Sequence, residues 1–159
     1  MFRVLFVCTG NICRSPTAEG IFKNLLSERC LTDRIEADSA GIGSWHAGDP
    51  PDTRSTETAL THGVDIRDQR ARILRPQDFK FFNLLLAMDA GHYTAMNQAC
   101  PSGLQSRIEM LMKYAPESGI SDVPDPYYGS GDGFERVFEM IEIASKGLLD
   151  QIESRHLDR

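Results

Sequence analysis

The sequence predicts an α/β protein, a single-domain open sheet of four parallel strands with helices on both faces. Three observations predict this class. The chain has 159 residues, which suits one domain of ordinary size. Short apolar runs of the kind that form buried parallel strands alternate with segments whose apolar residues recur at helical spacing. Because loops rich in Gly and Pro separate these segments, the pattern indicates strand–helix–strand units around one parallel sheet.

The first half of the chain supplies two strands and two helices. The β-branched run Arg3–Val7 predicts the first strand, and Ser15 is the expected N-cap of a helix that has Pro16 at its first position. Weak alternation over Ile35–Ala40 predicts the second strand. A helix is expected over Arg54–Thr61.

The second half repeats the alternation and adds a long loop. Leu84–Met88 predicts the third strand, and Ala90–Ala99 a helix that ends before a proline. Ile108–Met112 is interpreted as a fourth short strand, although a helical turn fits the same residues. The loop Pro116–Gly133 is long enough to indicate a function, and an amphipathic helix follows from Phe134 almost to the C-terminus.

Composition and charge exclude several classes of protein. Apolar residues make up 41% and charged residues 25%, an average composition for a soluble domain. Because no apolar run spans a bilayer and the first residues lack a signal-peptide pattern, we expect a cytoplasmic protein without a membrane partner. The net charge of -6 argues against nucleic acid as a partner. The 4 cysteines show neither a disulfide framework nor zinc spacing, and we expect no metal and no cofactor.

The loop between the first strand and the first helix has the composition of a phosphate-binding loop. It begins with the thiol of Cys8 and ends with the guanidinium of Arg14, whose fork of donors suits a phosphate group. Gly10 permits close backbone approach, and Asn11 tolerates a positive φ angle. Backbone N–H groups and the helix N-terminus add positive potential, so we expect Cys8 to be ionised and nucleophilic. The alternative, a structural cysteine, leaves a costly unpaired Arg14 unexplained.

The long loop offers the acid that phosphoryl transfer to a thiol requires. Asp122 and Asp125 are both available, and we assign the role to Asp125. Pro126 restrains its backbone, and the rings of Tyr127 and Tyr128 follow directly as a pocket wall. The alternative role of Asp125 is to start an Asx turn before the proline.

Trp45, the single Trp of the chain, lies in a Gly-containing loop after the second strand. Its ring is equally compatible with an anchor in the core and with a rim position that stacks on an aryl substrate. The sequence leaves both interpretations open.

Four segments together resemble the low-molecular-weight protein tyrosine phosphatases. Val7–Pro16 has the sequence V-C-T-G-N-I-C-R-S-P, and Asp125–Tyr128 has the sequence D-P-Y-Y. The W-H-x-G segment at Trp45–Gly48 and the A-M-D segment at Ala87–Asp89 follow in the family's order. One stretch departs from the family, which often has S-H before x-A-R with the His bracing the phosphate loop. In this chain residues 67–72 have the sequence R-D-Q-R-A-R.

The resemblance spans the chain and implies one phosphatase domain over residues 1–159. It implies hydrolysis of phosphotyrosine in proteins, and of small aryl phosphates, through a phosphocysteine intermediate. Cys8 is then the nucleophile, Arg14 binds the phosphoryl oxygens, and Asp125 is the general acid and then the general base. The substrate-binding residues are Thr9, Gly10, Asn11, Ile12, Cys13, Trp45, Tyr127 and Tyr128. The residues that support the loop are Asn11, Ser15 and Ser39.

The expected partners are tyrosine-phosphorylated proteins, and phosphate or vanadate is expected to inhibit. Cys13 follows Cys8 in a loop that curls around one anion, so their Cα atoms are expected within disulfide range. We therefore predict that Cys13 is a redox partner that protects Cys8 from irreversible oxidation. The alternative is a Cys13 that only packs in the core.

Several alternatives have specific sequence requirements. Arsenate reductases of similar fold need two further cysteines close together, whereas Cys100 alone lies in the second half. Related arginine phosphatases typically carry Thr where Ile12 stands, and the larger apolar residue favours a flat aryl ring. A phosphoprotein-binding module is expected to have lost the thiol or the acid. Walker A, Rossmann and C-x-x-C motifs are absent from the sequence.

Overall fold

Four parallel strands form the centre of the structure, a computed structural model that describes residues 1–128 and 132–157, without the side chain of residue 128. The strands are β1 (Phe2–Cys8), β2 (Ile35–Gly41), β3 (Leu84–Ala87) and β4 (Ile108–Met110). They pair in the order β2-β1-β3-β4, and each pair is parallel. The predicted sheet of four parallel strands is confirmed.

Helices connect the strands and cover the sheet. They are α1 (Arg14–Glu28), α2 (Thr53–Thr61), α3 (Asp78–Phe81), α4 (Ala90–Ala99) and α5 (Gly133–His156). Short 3-10 turns lie at residues 105–107, 111–114, 116–118 and 126–128. Within the described ranges, none of these helices is both long and apolar enough to cross a membrane.

The alternating side chains of β1 divide the core into two layers. Val4 and Phe6 are fully buried against residues of α1 and α5 on one face. Leu5 and Val7 are fully buried on the other face, where they pack with Met96 of α4 and with residues of α3. Because successive strand residues point to opposite faces, one continuous apolar run fills both layers.

The start of α1 differs from the prediction. The helix begins at Arg14 with Cys13 as its N-cap, so the prediction of a Ser15 cap and a first position at Pro16 is wrong by two residues. The physical reason lies in the tight loop. The Cys13 carbonyl accepts hydrogen bonds from the backbone N–H and the hydroxyl of Thr17, at 3.3 and 2.8 Å, which closes the first turn early.

One further boundary and one additional helix differ from the prediction. Strand β4 ends at Met110, because the next residues turn inward as a 3-10 helix that buries Leu111 and Met112. The short helix α3 was not predicted from the sequence, and its four residues are too few to show a helical period.

The carboxyl ends of the strands meet at one edge of the sheet. Cys8 at the end of β1 pairs with Gly41 at the end of β2. A Cβ atom on Gly41 would lie 3.0 Å from the backbone of Thr9 and of Gly10, so the glycine lets the loop after β1 approach β2 this closely. Ligand sites of open parallel sheets lie at this edge.

Candidate active site

A cavity of about 390 Å³ opens at the carboxyl edge of the sheet. Residues of three loops line it: Cys8, Thr9, Gly10, Ile12, Cys13, Arg14, Trp45, His46, Asp125 and Tyr127. The structure therefore brings together the thiol, the guanidinium and the carboxylate that the sequence indicated. It also adds His46, which was not predicted.

The backbone of the loop after β1 leaves its donors free for a ligand. Three of its carbonyl groups, those of Cys8, Thr9 and Ile12, accept N–H groups of residues 42, 43 and 52 at 2.8–3.0 Å. Across the part of the chain that the structure describes, the N–H groups of Thr9 to Cys13 have no protein acceptor. Asn11 has a φ of 59°, the left-handed conformation that lets the chain curl in this way. Successive free N–H groups around one centre form an anion-binding nest.

Buried hydroxyl and amide groups hold the floor of the loop. The Cys8 sulfur lies 3.0 Å from the Ser15 hydroxyl. The Asn11 amide donates to the hydroxyls of Ser15 and Ser39 at 2.7 and 3.0 Å. All four residues are less than 5% exposed. The three predicted support residues therefore form one network beneath the sulfur.

Three contacts that the sequence did not predict brace this network from behind. Ser39 donates to the buried carboxylate of Glu19 at 2.6 Å. The backbone N–H of Arg72 donates to the Asn11 side-chain oxygen at 3.0 Å. Gln69 lies in the stretch that departs from the family, and its amide donates to the Pro16 carbonyl at 3.0 Å. The loop is therefore held without an imidazole in that stretch.

The Arg14 guanidinium is 3% exposed and is held at both ends. One terminal nitrogen donates to Asp89 and to the Val123 carbonyl, each at 2.9 Å. The other donates to the Thr9 hydroxyl at 3.3 Å and lies 3.6 Å from the Asp125 carboxylate. Burial raises the pKa of Asp89, but the hydrogen bonds from the His92 backbone N–H and from Arg14, together with the charge of Arg14, outweigh it and hold the pKa below its ordinary value. Two carboxylates thus flank this buried cation.

The two aspartates of the long loop have different positions. Asp125 lines the cavity, and one of its oxygens accepts the Tyr127 N–H at 3.0 Å. It therefore makes the Asx-type turn and still presents its other oxygen to Arg14. Asp122 instead accepts the Ala90 N–H at 3.1 Å, at the start of α4.

Aromatic side chains form the rim of the cavity. Trp45 is 73% exposed, which places it on the rim and not in the core. Tyr127 is 38% exposed, and the Tyr128 side chain lies outside the described part of the structure. The Arg54 guanidinium lies over the rings of Tyr127 and Phe134, with centroids at 5.2 and 4.6 Å, and donates to the Tyr127 carbonyl at 3.2 Å.

Cys13 lines the cavity with 5% of its surface exposed. It packs with Ile12, Ala71 and Phe134 in a small apolar cluster. Burial raises the pKa of its thiol to about 12, although a hydrogen bond from Ser55 acts in the opposite direction. Cys8 and Cys13 are both free thiols in this structure.

Besides His46, four positions that contact the predicted site residues were missed, because each contact joins residues far apart in sequence. Glu19 contacts Ser39, Arg54 contacts Tyr127 and His92 contacts Thr9. Asp89, which contacts Arg14, was noted only as part of a family segment. One signal was present in the sequence. An acidic residue just beyond a buried strand, such as Asp89 two residues after the end of β3, falls at the edge where ligands bind.

A free thiol inside a nest of N–H groups, beside a guanidinium and a carboxylate, defines the class of protein as a cysteine-dependent phosphatase. The sequence model of the low molecular weight phosphotyrosine protein phosphatases matches residues 3–157. The chain belongs to this family.

Individual relatives are similar to this chain over almost its whole length. A low molecular weight protein-tyrosine-phosphatase of Streptomyces coelicolor is 44% identical, with 97% of this chain and 98% of the relative covered. A solved protein tyrosine phosphatase of Entamoeba histolytica has a TM-score of 0.94 at 35% identity, with 99% of this chain and 100% of the other covered. The structure of YfkJ from Bacillus subtilis has a TM-score of 0.92 at 40% identity and covers 99% of this chain and 98% of its own.

Proposed function

We propose that this chain hydrolyses phosphotyrosine in proteins, and small aryl phosphates, through a phosphocysteine intermediate on Cys8. The observation that carries the proposal is the position of three groups around one cavity. The Cys8 sulfur lies at the base of the loop, with the Arg14 guanidinium and the Asp125 carboxylate on the same cavity wall. The family's relatives are named as protein-tyrosine phosphatases, which supports the substrate class.

In the first step the Cys8 sulfur attacks phosphorus. An S–P bond forms as the P–O bond to the tyrosyl ring breaks, and the acid form of Asp125 gives its proton to the leaving oxygen. Arg14 and the free N–H groups of the loop bind the other phosphoryl oxygens while charge develops on them. A preformed nest costs no reorganisation at that moment.

In the second step a water molecule attacks the phosphocysteine. Asp125, now a carboxylate, takes a proton from the water as the new P–O bond forms and the S–P bond breaks. The sulfur leaves with the bonding electrons, and the Ser15 hydroxyl 3.0 Å away stabilises it by donating a hydrogen bond. Phosphate is then released and the enzyme is restored.

The wall residues support an aryl substrate. Ile12 lines the cavity and is 9% exposed, and the exposed ring of Trp45 lies on the rim. A flat ring between apolar groups buries area that a phosphoserine side chain does not offer. Cys100 lies in the core layer beneath α4 and is absent from the cavity lining, which gives no support to an arsenate reductase.

A panel of substrates tests the proposal. Initial rates are measured on phosphotyrosine, phosphoarginine and phosphoserine forms of one peptide, with arsenate reduction assayed in parallel. We expect the rate on the phosphotyrosine peptide to exceed the rates on the other two peptides by at least about 100-fold. The Cys8→Ser protein, prepared identically, controls for contaminating phosphatases. Preferred turnover of phosphoarginine, or arsenate reduction alone, would overturn the assignment.

A further inference from the structure

A buried histidine lies next to the phosphate-binding guanidinium and has no part in the proposed steps. His92 lies in the first turn of α4 and is 6% exposed. Its Nε2 atom lies 2.8 Å from the Thr9 hydroxyl oxygen. Its Nδ1 atom is buried without a hydrogen-bond partner, 3.3 Å from an Asp89 carboxylate oxygen.

The hydrogen-bond pattern assigns the proton on this ring. Arg14 has only donors, so the Thr9 oxygen accepts from it and the single hydroxyl hydrogen of Thr9 is free to donate to His92 Nε2. The ring proton then lies on Nδ1, facing the Asp89 carboxylate. The opposite tautomer would place a lone pair against that carboxylate.

The surroundings also keep the ring neutral. Burial lowers the pKa of His92 to about 4, and the charge of Arg14 acts in the same direction. The carboxylates of Asp89, Asp125 and Asp122 oppose this shift but do not overcome it. At neutral pH, Nε2 is therefore an acceptor.

We propose that His92 is a positioning residue that acts through Thr9 to hold the Arg14 guanidinium toward the phosphoryl group. The proposal rests on the proposed function, in which Arg14 binds that group. It also changes the role of Thr9, which the sequence suggested as a substrate-binding residue. The Thr9 hydroxyl orients the cation, and its backbone N–H remains in the nest.

His92 acts by fixing the direction in which the Thr9 hydroxyl hydrogen points. While His92 accepts the Thr9 hydrogen, a Thr9 lone pair faces the second terminal nitrogen of Arg14. Asp89 and the Val123 carbonyl hold only the first terminal nitrogen. Without the acceptor, the Thr9 hydrogen is free to turn toward the guanidinium, and the end of Arg14 nearest Asp125 loses its anchor.

Two substitutions separate the roles of the two ring nitrogens. In His92→Gln the side-chain oxygen reaches about as far as Nε2 and can accept from Thr9. In His92→Asn the amide reaches only about as far as Nδ1 and can still meet Asp89. Each protein is measured for inorganic phosphate binding by calorimetry, for kcat and KM on a phosphotyrosine peptide, and for thermal unfolding.

We expect His92→Asn to weaken phosphate binding and to lower kcat/KM about tenfold, the size of one hydrogen bond lost beside a charged group. His92→Gln should keep both within about threefold of the original protein. Thr9→Val should match His92→Asn, and in the Thr9→Val background the Gln and Asn substitutions should no longer differ. His62→Gln replaces a histidine that pairs with Glu135 and does not line the cavity, and it should change neither quantity.

Equal phosphate binding in the Gln and Asn proteins, or rescue by Asn alone, would overturn the proposal. If His92→Asn does not fold, Thr9→Val decides alone, and unchanged phosphate binding there would also overturn it. Failure of the proposed function has a different signature. If the original protein binds phosphate but hydrolyses no phosphotyrosine peptide, the proposed function is contradicted. Phosphate binding can still be compared between the His92→Gln and His92→Asn proteins.

Discussion

The phosphate loop and the rim of the cavity differ in how the protein holds them. In the loop, Asn11, Arg14 and Ser15 are nearly inaccessible, and each side chain has polar partners within the protein. On the rim, Trp45 is 73% and Tyr127 is 38% exposed. These three side chains are part of the core and are fixed by folding, whereas the rim is a surface. We infer that the loop determines the chemistry and the rim determines which substrate binds.

The largest expected effect follows from replacing the thiol and the guanidinium of the loop. Cys8→Ser should abolish measurable turnover and keep phosphate or vanadate binding, because the nest and Arg14 remain while a poor nucleophile replaces the sulfur. Arg14→Ala should lose both turnover and binding. Steady-state kinetics and calorimetry check this pair, and near-original activity in Cys8→Ser would refute the phosphocysteine mechanism.

The second effect separates the two aspartates of the long loop. Asp125→Ala should lower kcat on a phosphotyrosine peptide by about 10²- to 10⁴-fold, the usual contribution of a general acid. An aryl phosphate with a much better leaving group should lose less in kcat/KM, which reports the first step, because that step then needs no proton. Asp122→Ala is the matched control and should change kcat little, since Asp122 binds the start of α4. A larger loss in Asp122→Ala would reverse the assignment.

The third effect tests the rim. Trp45→Ala and Tyr127→Ala should raise KM for aryl phosphates several-fold, about 3- to 10-fold, with a smaller change in kcat, because they remove binding common to substrate and transition state. Phe81→Ala is the control, because Phe81 is 53% exposed and lies outside the cavity lining. An unchanged KM together with lost thermal stability would assign the two rings to packing.

The smallest effect on basal activity is expected from Cys13→Ser. If Cys13 is the redox partner of Cys8, mild peroxide should inactivate the original protein reversibly and the Cys13→Ser protein irreversibly. The raised pKa of Cys13 keeps it as a thiol, so formation of the disulfide should be slow at neutral pH. Cys30→Ser, at an exposed cysteine, is the control and should stay reversible. Mass spectrometry that finds Cys8 sulfinic acid and no Cys8–Cys13 linkage would exclude the pairing.

The same contrast explains what the sequence alone could predict. Cys8, Arg14 and Asn11 lie in one contiguous strand–loop–helix segment, so their arrangement follows from local rules. The partners that orient them come from elsewhere: Arg14 and Asp89 are 75 positions apart, and Thr9 and His92 are 83 apart. Neither apolar periodicity nor a short motif predicts such pairs, because they form only when the sheet brings the carboxyl ends of its strands together.

The fold shows the same division. The strands and long helices were predictable from apolar periodicity, whereas the start of α1 was not. That start depends on the Cys13 carbonyl, which the curled loop turns toward Thr17. Whether Trp45 lies in the core or on the rim likewise depends on how its loop packs in the folded protein. The sequence therefore left both positions open.

The central claim is that Cys8 carries the phosphoryl group between the two steps. Asp125→Ala, mixed with an aryl phosphate that has a good leaving group, lacks the base for the second step and should accumulate the intermediate. Acid quenching followed by mass spectrometry should find one phosphoryl group on the peptide that contains Cys8, and none in the Cys8→Ser/Asp125→Ala protein. Release of the aryl alcohol with no phosphoryl group on Cys8 at any time, or with the group on another residue, would contradict the account.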